Sequence, residues 1–120
     1  MITVESNLDI GIEKDGVWHT RFTMRQATVA DAIAAVEKAP AGASNLALRI
    51  YKAAEQIDQI GDITEIDGEL LMGLADDDIH PILEAQDEIE KKRKGLRNAS
   101  SLTSTLKSSS EDTDSKIQKD

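Results

Sequence analysis

The chain has no cysteine, two prolines and three aromatic residues among its 120. Without cysteine there is no disulfide framework, no thiolate metal site and no thiol nucleophile. With Trp18, Phe22 and Tyr51 as the only aromatics, the core must be built largely from Ile, Leu, Val and Ala. Stability is then expected to be ordinary or low, or completed by a partner. No run approaches the roughly 18 consecutive apolar residues of a membrane span, and no apolar stretch follows Met1. The expected setting is a soluble, cytoplasmic protein with no membrane partner.

Basic residues are also missing from one long stretch. Residues 53–90 hold thirteen Asp or Glu and no Lys or Arg. Residues 97–120 balance four basic against four acidic groups, so the net charge of −9 belongs to residues 1–96. A surface that acidic repels nucleic acid and anionic lipid and favours a basic protein partner. The plainer reading is a solvated face that keeps the protein soluble.

Catalytic and metal-binding patterns are missing as well. His19 and His80 lie far apart with no His or Cys at ligand spacing. The run Asp76-Asp77-Asp78 and the segment Asp62 to Glu69 lack the alternating ligands, central glycine and distal glutamate of a calcium loop. Carboxylate pairs are plentiful, but with so many acids a pair arises by chance, and no pocket-forming aromatics accompany one. No glycine-rich phosphate loop occurs, and Ser100, Ser101 and the later serines have no base in the pattern around them. Lys91 to Lys94 is too small a basic patch, on too acidic a chain, for nucleic acid. The expectation is a protein that is not an enzyme and has no cofactor, no metal and no catalytic residue.

What is present is periodicity. Ile2, Val4, Leu8, Ile10 and Ile12 alternate with polar residues, as a half-buried strand does, and residues 17–24 alternate again around Trp18, Phe22 and Met24. A two-residue Asp15-Gly16 loop would set Ile12 opposite His19 and put the two apolar faces on opposite sides. A three-residue loop, Lys14-Asp15-Gly16, pairs Ile12 with Trp18, Ile10 with Thr20 and Leu8 with Phe22, and is the expected arrangement of this 2–24 hairpin.

Four helices should follow. Thr28 with Asp31 forms a capping-box pattern before a helix at about 29–38, whose narrow apolar stripe is Val29, Ile33 and Val36, filled out by Ala32. Pro40 and Gly42 open a connection. Ser44 can cap a helix at 45–60 that carries Leu46, Ile50, Ala53, Ala54, Ile57 and Ile60 on one side, with Gly61 as a left-handed end. Thr64 and Asp67 repeat the cap pattern before a short helix at 65–74, weakened by Gly68 and Gly73. Asp78 as cap makes Pro81 the third residue of a helix at 79–95, the latest position at which proline loses no bond. Its acidic start and its Lys91–Lys94 end both suit the helix dipole.

The expected fold class is therefore α+β: an N-terminal β-hairpin, then about four α-helices forming a small helical bundle over residues 1–96. Residues 97–120, rich in serine and poor in large apolar groups, should be a disordered tail. From Leu70 to Leu96 a stripe recurs at helical spacing, namely Leu70, Leu71, Leu74, Ile79, Ile82, Leu83, Ile89 and Leu96. These eight are the candidate partner-binding residues. The faces of 45–60 and 79–96 are expected to pack on each other and leave a groove.

The order of these segments, FTMRQATVADAIAAVE, then LRIYKAAEQIDQIG, then ITEIDGELLMGLADDDIHPILEAQDEIEKKRK, resembles the tail assembly chaperones of Mu-like and related contractile-tailed phages over roughly residues 2–96. The resemblance implies a virus-encoded protein of the host cytoplasm, absent from the mature virion. It would bind the tape measure protein and keep it soluble while the tail tube polymerises. A ribosomal frameshift would give a longer form that recruits the tail tube protein, and the lysine run at 91–94 lies near where slippage could fall. The family supplies no catalytic residue. Self-association is left open, and the alternative function is an acidic regulatory or anti-host binding protein that mimics nucleic acid.

Overall fold

The computed structural model describes residues 1–108, with side chains through residue 97. Strands β1 (Thr3–Lys14) and β2 (Val17–Arg25) form an antiparallel hairpin, followed by helix α1 (Val29–Lys38) and helix α2 (Asn45–Gln56). Next come strand β3 (Ile57–Ile60) and helix α3 (Gly68–Met72). A single 3-10 turn, Asp76–Asp78, leads into helix α4 (Ile79–Ser108). The class is α+β, a hairpin followed by four helices. Residues 1–90 make one unit, and from Lys91 α4 belongs to a second.

The hairpin turns through Asp15-Gly16 alone. Both residues have positive φ, 55° and 78°, which is the I′ geometry that matches strand twist and that Asp-Gly favours. The register is Ile12 with His19, Glu13 with Trp18 and Lys14 with Val17, so the expected three-residue loop and its pairing of Ile12 with Trp18 are overturned. The apolar faces are brought back into line farther along. Between Asn7, paired with Arg21, and Ile12, paired with His19, β1 carries four residues opposite the single Thr20. Gly11 sits in this irregularity at φ 95°, where a Cβ would meet the His19 carbonyl oxygen at 2.4 Å. Val4 and Leu8 point inward with Phe22 and Met24, whereas Ile10 and Trp18 stay 46% and 57% exposed.

The expected helix at 45–60 stops at Gln56. Ile57 and Ile60 fit a helix stripe at i, i+3, but the free edge of β2 offers unpaired backbone groups, and residues 57–60 pair with it antiparallel. A register shift between Thr23 and Met24 leaves both isoleucines buried although they lie three residues apart. The sheet order is therefore β1-β2-β3. Gly61 is left-handed as expected, at φ 57°, but it ends a strand and not a helix.

Ser44 and Thr28 cap α2 and α1 through bonds to Ala47 and Asp31 N–H, and the Thr28–Asp31 capping box is complete. Asp67, not Thr64, caps α3, accepting from Leu70 N–H at 2.8 Å. Pro81 is the third residue of α4. That helix runs past the expected end at 95, because Gly95 weakens a helix by only about 1 kcal/mol and no proline enforces a stop. Of the stretch expected to be a tail, residues 109–120 lie outside the described residues.

The core of residues 1–90 joins Val4, Leu8, Phe22 and Met24 of the hairpin to Ile50, Ala53, Ala54, Ile57, Ile60 and Leu71, and to Ile82, Ala85 and Ile89 of α4. A polar chain runs through it. Arg25 donates to both Asp31 oxygens (2.6 and 3.0 Å) and to the Glu55 carbonyl (2.8 Å). Gln56 donates to the Arg25 carbonyl (2.9 Å), Gln86 to Gln56 (3.0 Å), and Arg49 to Gln86 and Asp87 (2.7 and 2.6 Å). Each buried polar group thus finds a partner, which is what makes its burial tolerable.

Candidate partner-binding surface

Of the eight residues expected to meet a partner, the fold uses three for itself. Leu71, Ile82 and Ile89 are 4%, 1% and 1% exposed and belong to the core. Leu70, Leu74, Ile79 and Leu83 are half-buried, the last three packed against that core. Leu96 is exposed, in the second unit. The stripe is thus divided: its inward half holds the molecule together, and the outward half around α3 is left open.

That open half meets the hairpin. A groove of about 460 Å³ is lined by Ile10, Ile12 and Trp18 from β1 and β2, and by Leu70, Leu74 and Ala75 from α3 and the loop after it. Through Ile12 and Leu70 it continues into a second depression beside Ile63 and Thr64. Through Leu74 it continues into a smaller one of about 190 Å³, where Ile50, Ile79 and Ile82 form the floor. The groove between 45–60 and 79–96 anticipated from sequence is therefore displaced. Those faces close on each other through Ile50, Ala53, Ala54, Ile82, Ala85 and Ile89, and the opening lies at the α3 end.

The rim is acidic. Glu13, Glu65, Glu69 and Asp76 line these depressions, with Lys14 as the cation among them. Sequence reasoning missed Trp18, Ile10 and Ile12 as members, having assigned them to the buried side of the hairpin. The signal that finds them is the Asp15-Gly16 dipeptide, because the I′ turn it favours sets Trp18 beside Glu13.

One buried carboxylate holds the groove wall in place. Asp78 is 0% exposed, and its two oxygens accept from Ile10 N–H (2.7 Å) and Gly11 N–H (2.9 Å). These are donors that the irregularity in β1 takes out of the strand ladder. Asp78 was expected to cap α4. It stands just before Ile79 as that reading requires, but its carboxylate reaches across to β1. Such charge-assisted bonds to backbone N–H groups are the strong kind. They tie the strand that presents Ile10 and Ile12 to the turn that starts α4.

A second apolar surface lies on α1. Val29, Ile33 and Val36 are 77%, 53% and 64% exposed, so the narrow apolar stripe of this helix faces water. The buried members of this helix are Asp31 and Ala35. The reason is the Arg25–Asp31 pair. Its hydrogen bonds, with those from Thr28, hold the Asp31 carboxyl at about 2, well below the usual carboxylate range, and fix which side of α1 turns inward. Beside the stripe a shallow groove between α1 and α2 is lined by Ala32, Ala35, Val36, Asn45, Leu48, Arg49 and Lys52.

Among the described residues no group of three or more His, Asp or Glu is placed to hold a metal ion. No described helix is long and apolar enough to cross a membrane. His80 is exposed in the first turn of α4, and His19 accepts from Asp62 N–H at 3.5 Å. No known protein family, curated protein or solved structure matches the chain.

Proposed function

We propose that this chain is a non-enzymatic binding protein of the phage tail assembly chaperone kind, acting in the host cytoplasm and absent from the mature virion. It holds an apolar helical segment of the tape measure protein until the tail tube forms around it. The observation that carries the reading is the open groove of Ile10, Ile12, Trp18, Leu70 and Leu74, an apolar surface that the fold builds and then leaves uncovered. Contiguous exposed apolar surface on a small protein marks a site for another molecule, and a helix laid in such a groove buries its own apolar side. A frameshifted longer form that recruits the tail tube protein is part of the same proposal.

Co-expression with the neighbouring tape measure gene product tests it. The expected result is that the partner becomes soluble and co-purifies, and that Trp18→Ala with Leu74→Asp abolishes both while the circular dichroism of the chain is kept. No rescue by the native chain would contradict the proposal.

The second reading, an acidic protein that mimics nucleic acid, draws on the exposed Asp58, Asp62, Glu65, Asp67, Glu69, Asp76 and Asp77. It is weakened because other acids of the same run are engaged internally: Asp78 with β1, Asp87 with Arg49, and Glu55 with Lys38. A pull-down at low and high salt separates the two. A complex held by charge dissolves as salt rises, whereas one seated in the apolar groove persists.

A further inference from the structure

We infer that the outward stripe of α1 is the contact through which two copies of this chain associate, packed helix against helix about a two-fold axis. The stripe is self-complementary. With two α1 helices antiparallel and the axis between Ala32 and Ile33, Val29 of one copy meets Val36 of the other, and Ile33 meets Ala32. Antiparallel helices also oppose their dipoles, which places Glu37 of one copy beside the positive N-terminal turn of the other.

Charge decides for a second copy over a different partner. Two chains of net charge −9 repel each other, and contact is tolerable only where carboxylates stay away. Around the groove at the hairpin tip they do not, since Glu13, Glu65, Glu69 and Asp76 would face their own images. On α1 the one exposed carboxylate is Glu37, which the antiparallel arrangement sets at the positive N-terminal turn of the other copy. Asp31 is buried against Arg25, Lys38 is paired with Glu55 at 2.8 Å, and the adjoining groove carries Arg49 and Lys52 and no carboxylate. A basic partner would find little there to attract it, and a second acidic chain finds little to repel it.

The contact is small. A ten-residue helix is about 15 Å long, which places the interface at or below the smallest stable ones. The dimer is accordingly reversible, forming at micromolar concentrations or above.

Sedimentation equilibrium of the full chain tests this, from about 10 μM to about 1 mM, at about 0.05 M and about 0.5 M salt. The expected result is a monomer–dimer equilibrium that tightens as salt screens the repulsion. Ile33→Asp should weaken it at least about tenfold, with unchanged circular dichroism because the side chain is already half in water. Trp18→Ala, at the other surface, should dimerise as the native chain does. Amide shifts of the native chain that move with concentration should cluster on α1 and the start of α2, a measurement that does not depend on how any variant folds. A chain that stays monomeric at the highest concentration would overturn the inference. So would a dimer that loosens with salt, or shifts that cluster on residues 68–79.

Discussion

The groove at the hairpin tip and the stripe on α1 are both apolar and both open to water, yet they differ in what surrounds them and in what makes them open. The groove is rimmed by Glu13, Glu65, Glu69 and Asp76 and is held by a buried carboxylate from a distant part of the chain. The stripe is nearly free of net charge and is turned outward by an ion pair on the opposite side of its own helix. Apolar area alone would treat them alike. The rims separate them, because a carboxylate rim admits a basic partner and refuses a copy of the same acidic chain.

The largest expected effect comes from cutting the strut beneath the groove. Asp78→Ala leaves the Ile10 and Gly11 N–H groups without their acceptor, and should cost about 3 kcal/mol or more in a urea titration. Asp78→Asn keeps one acceptor oxygen and should cost less. Binding at the groove should fail in the alanine variant even under conditions where it remains folded, whereas self-association through α1 should not.

Next in size is the strut beneath the stripe. Asp31→Asn removes the ionic part of the Arg25 pair and should destabilise by about 2 kcal/mol at neutral pH. The pH dependence carries the sign. The Asp31 carboxyl is depressed in the folded state to about 2 from an ordinary 3.8. Its contribution is thus fully present above the ordinary value and is lost as pH falls from about 5 through about 2. Native stability should fall over that range by the same amount, and the asparagine variant should lack that component. If both chains lose stability equally there, the pair does not fix α1.

Smaller still are the effects on folding of the surface residues themselves. Trp18→Ala and Ile33→Asp should each leave stability within roughly 0.5 kcal/mol, since both side chains are about half exposed. A cost as large as that of a core truncation such as Ile82→Ala, roughly 2–5 kcal/mol, would show that these surfaces are covered in the free chain. The exposed Arg21–Glu5 ion pair, opened by Arg21→Ala, should change stability least of all.

Much of the fold could be read from local pattern. The alternation of the hairpin, the Thr28–Asp31 and Ser44 caps and the place of Pro81 all act within a few residues, and the strands and helix starts they mark are where they were expected. What could not be read depends on partners far along the chain. The four-residue irregularity in β1 is stabilised by Asp78, 67 residues from Gly11, so the hairpin register looked inconsistent with its own turn. Ile57 and Ile60 suit a helix stripe as well as a bulged strand, and the free edge of β2 decides between them. The orientation of α1 reverses its apolar pattern because Arg25 claims Asp31. In the candidate site, Leu70, Leu74 and Ile79 could be found from helical spacing. Trp18, Ile10 and Ile12 could be found only by taking Asp15-Gly16 as a two-residue turn, because their exposure follows from that same register.

Trp18 is the only tryptophan and lines the groove, so its emission reports directly on whether the groove is filled. With a tryptophan-free fragment of the tape measure protein co-purified with the native chain, the emission maximum should move to shorter wavelength and quenching by acrylamide should fall. Emission and quenching identical to those of the free chain, in a complex shown to be intact, would contradict the assignment of the groove as the binding surface.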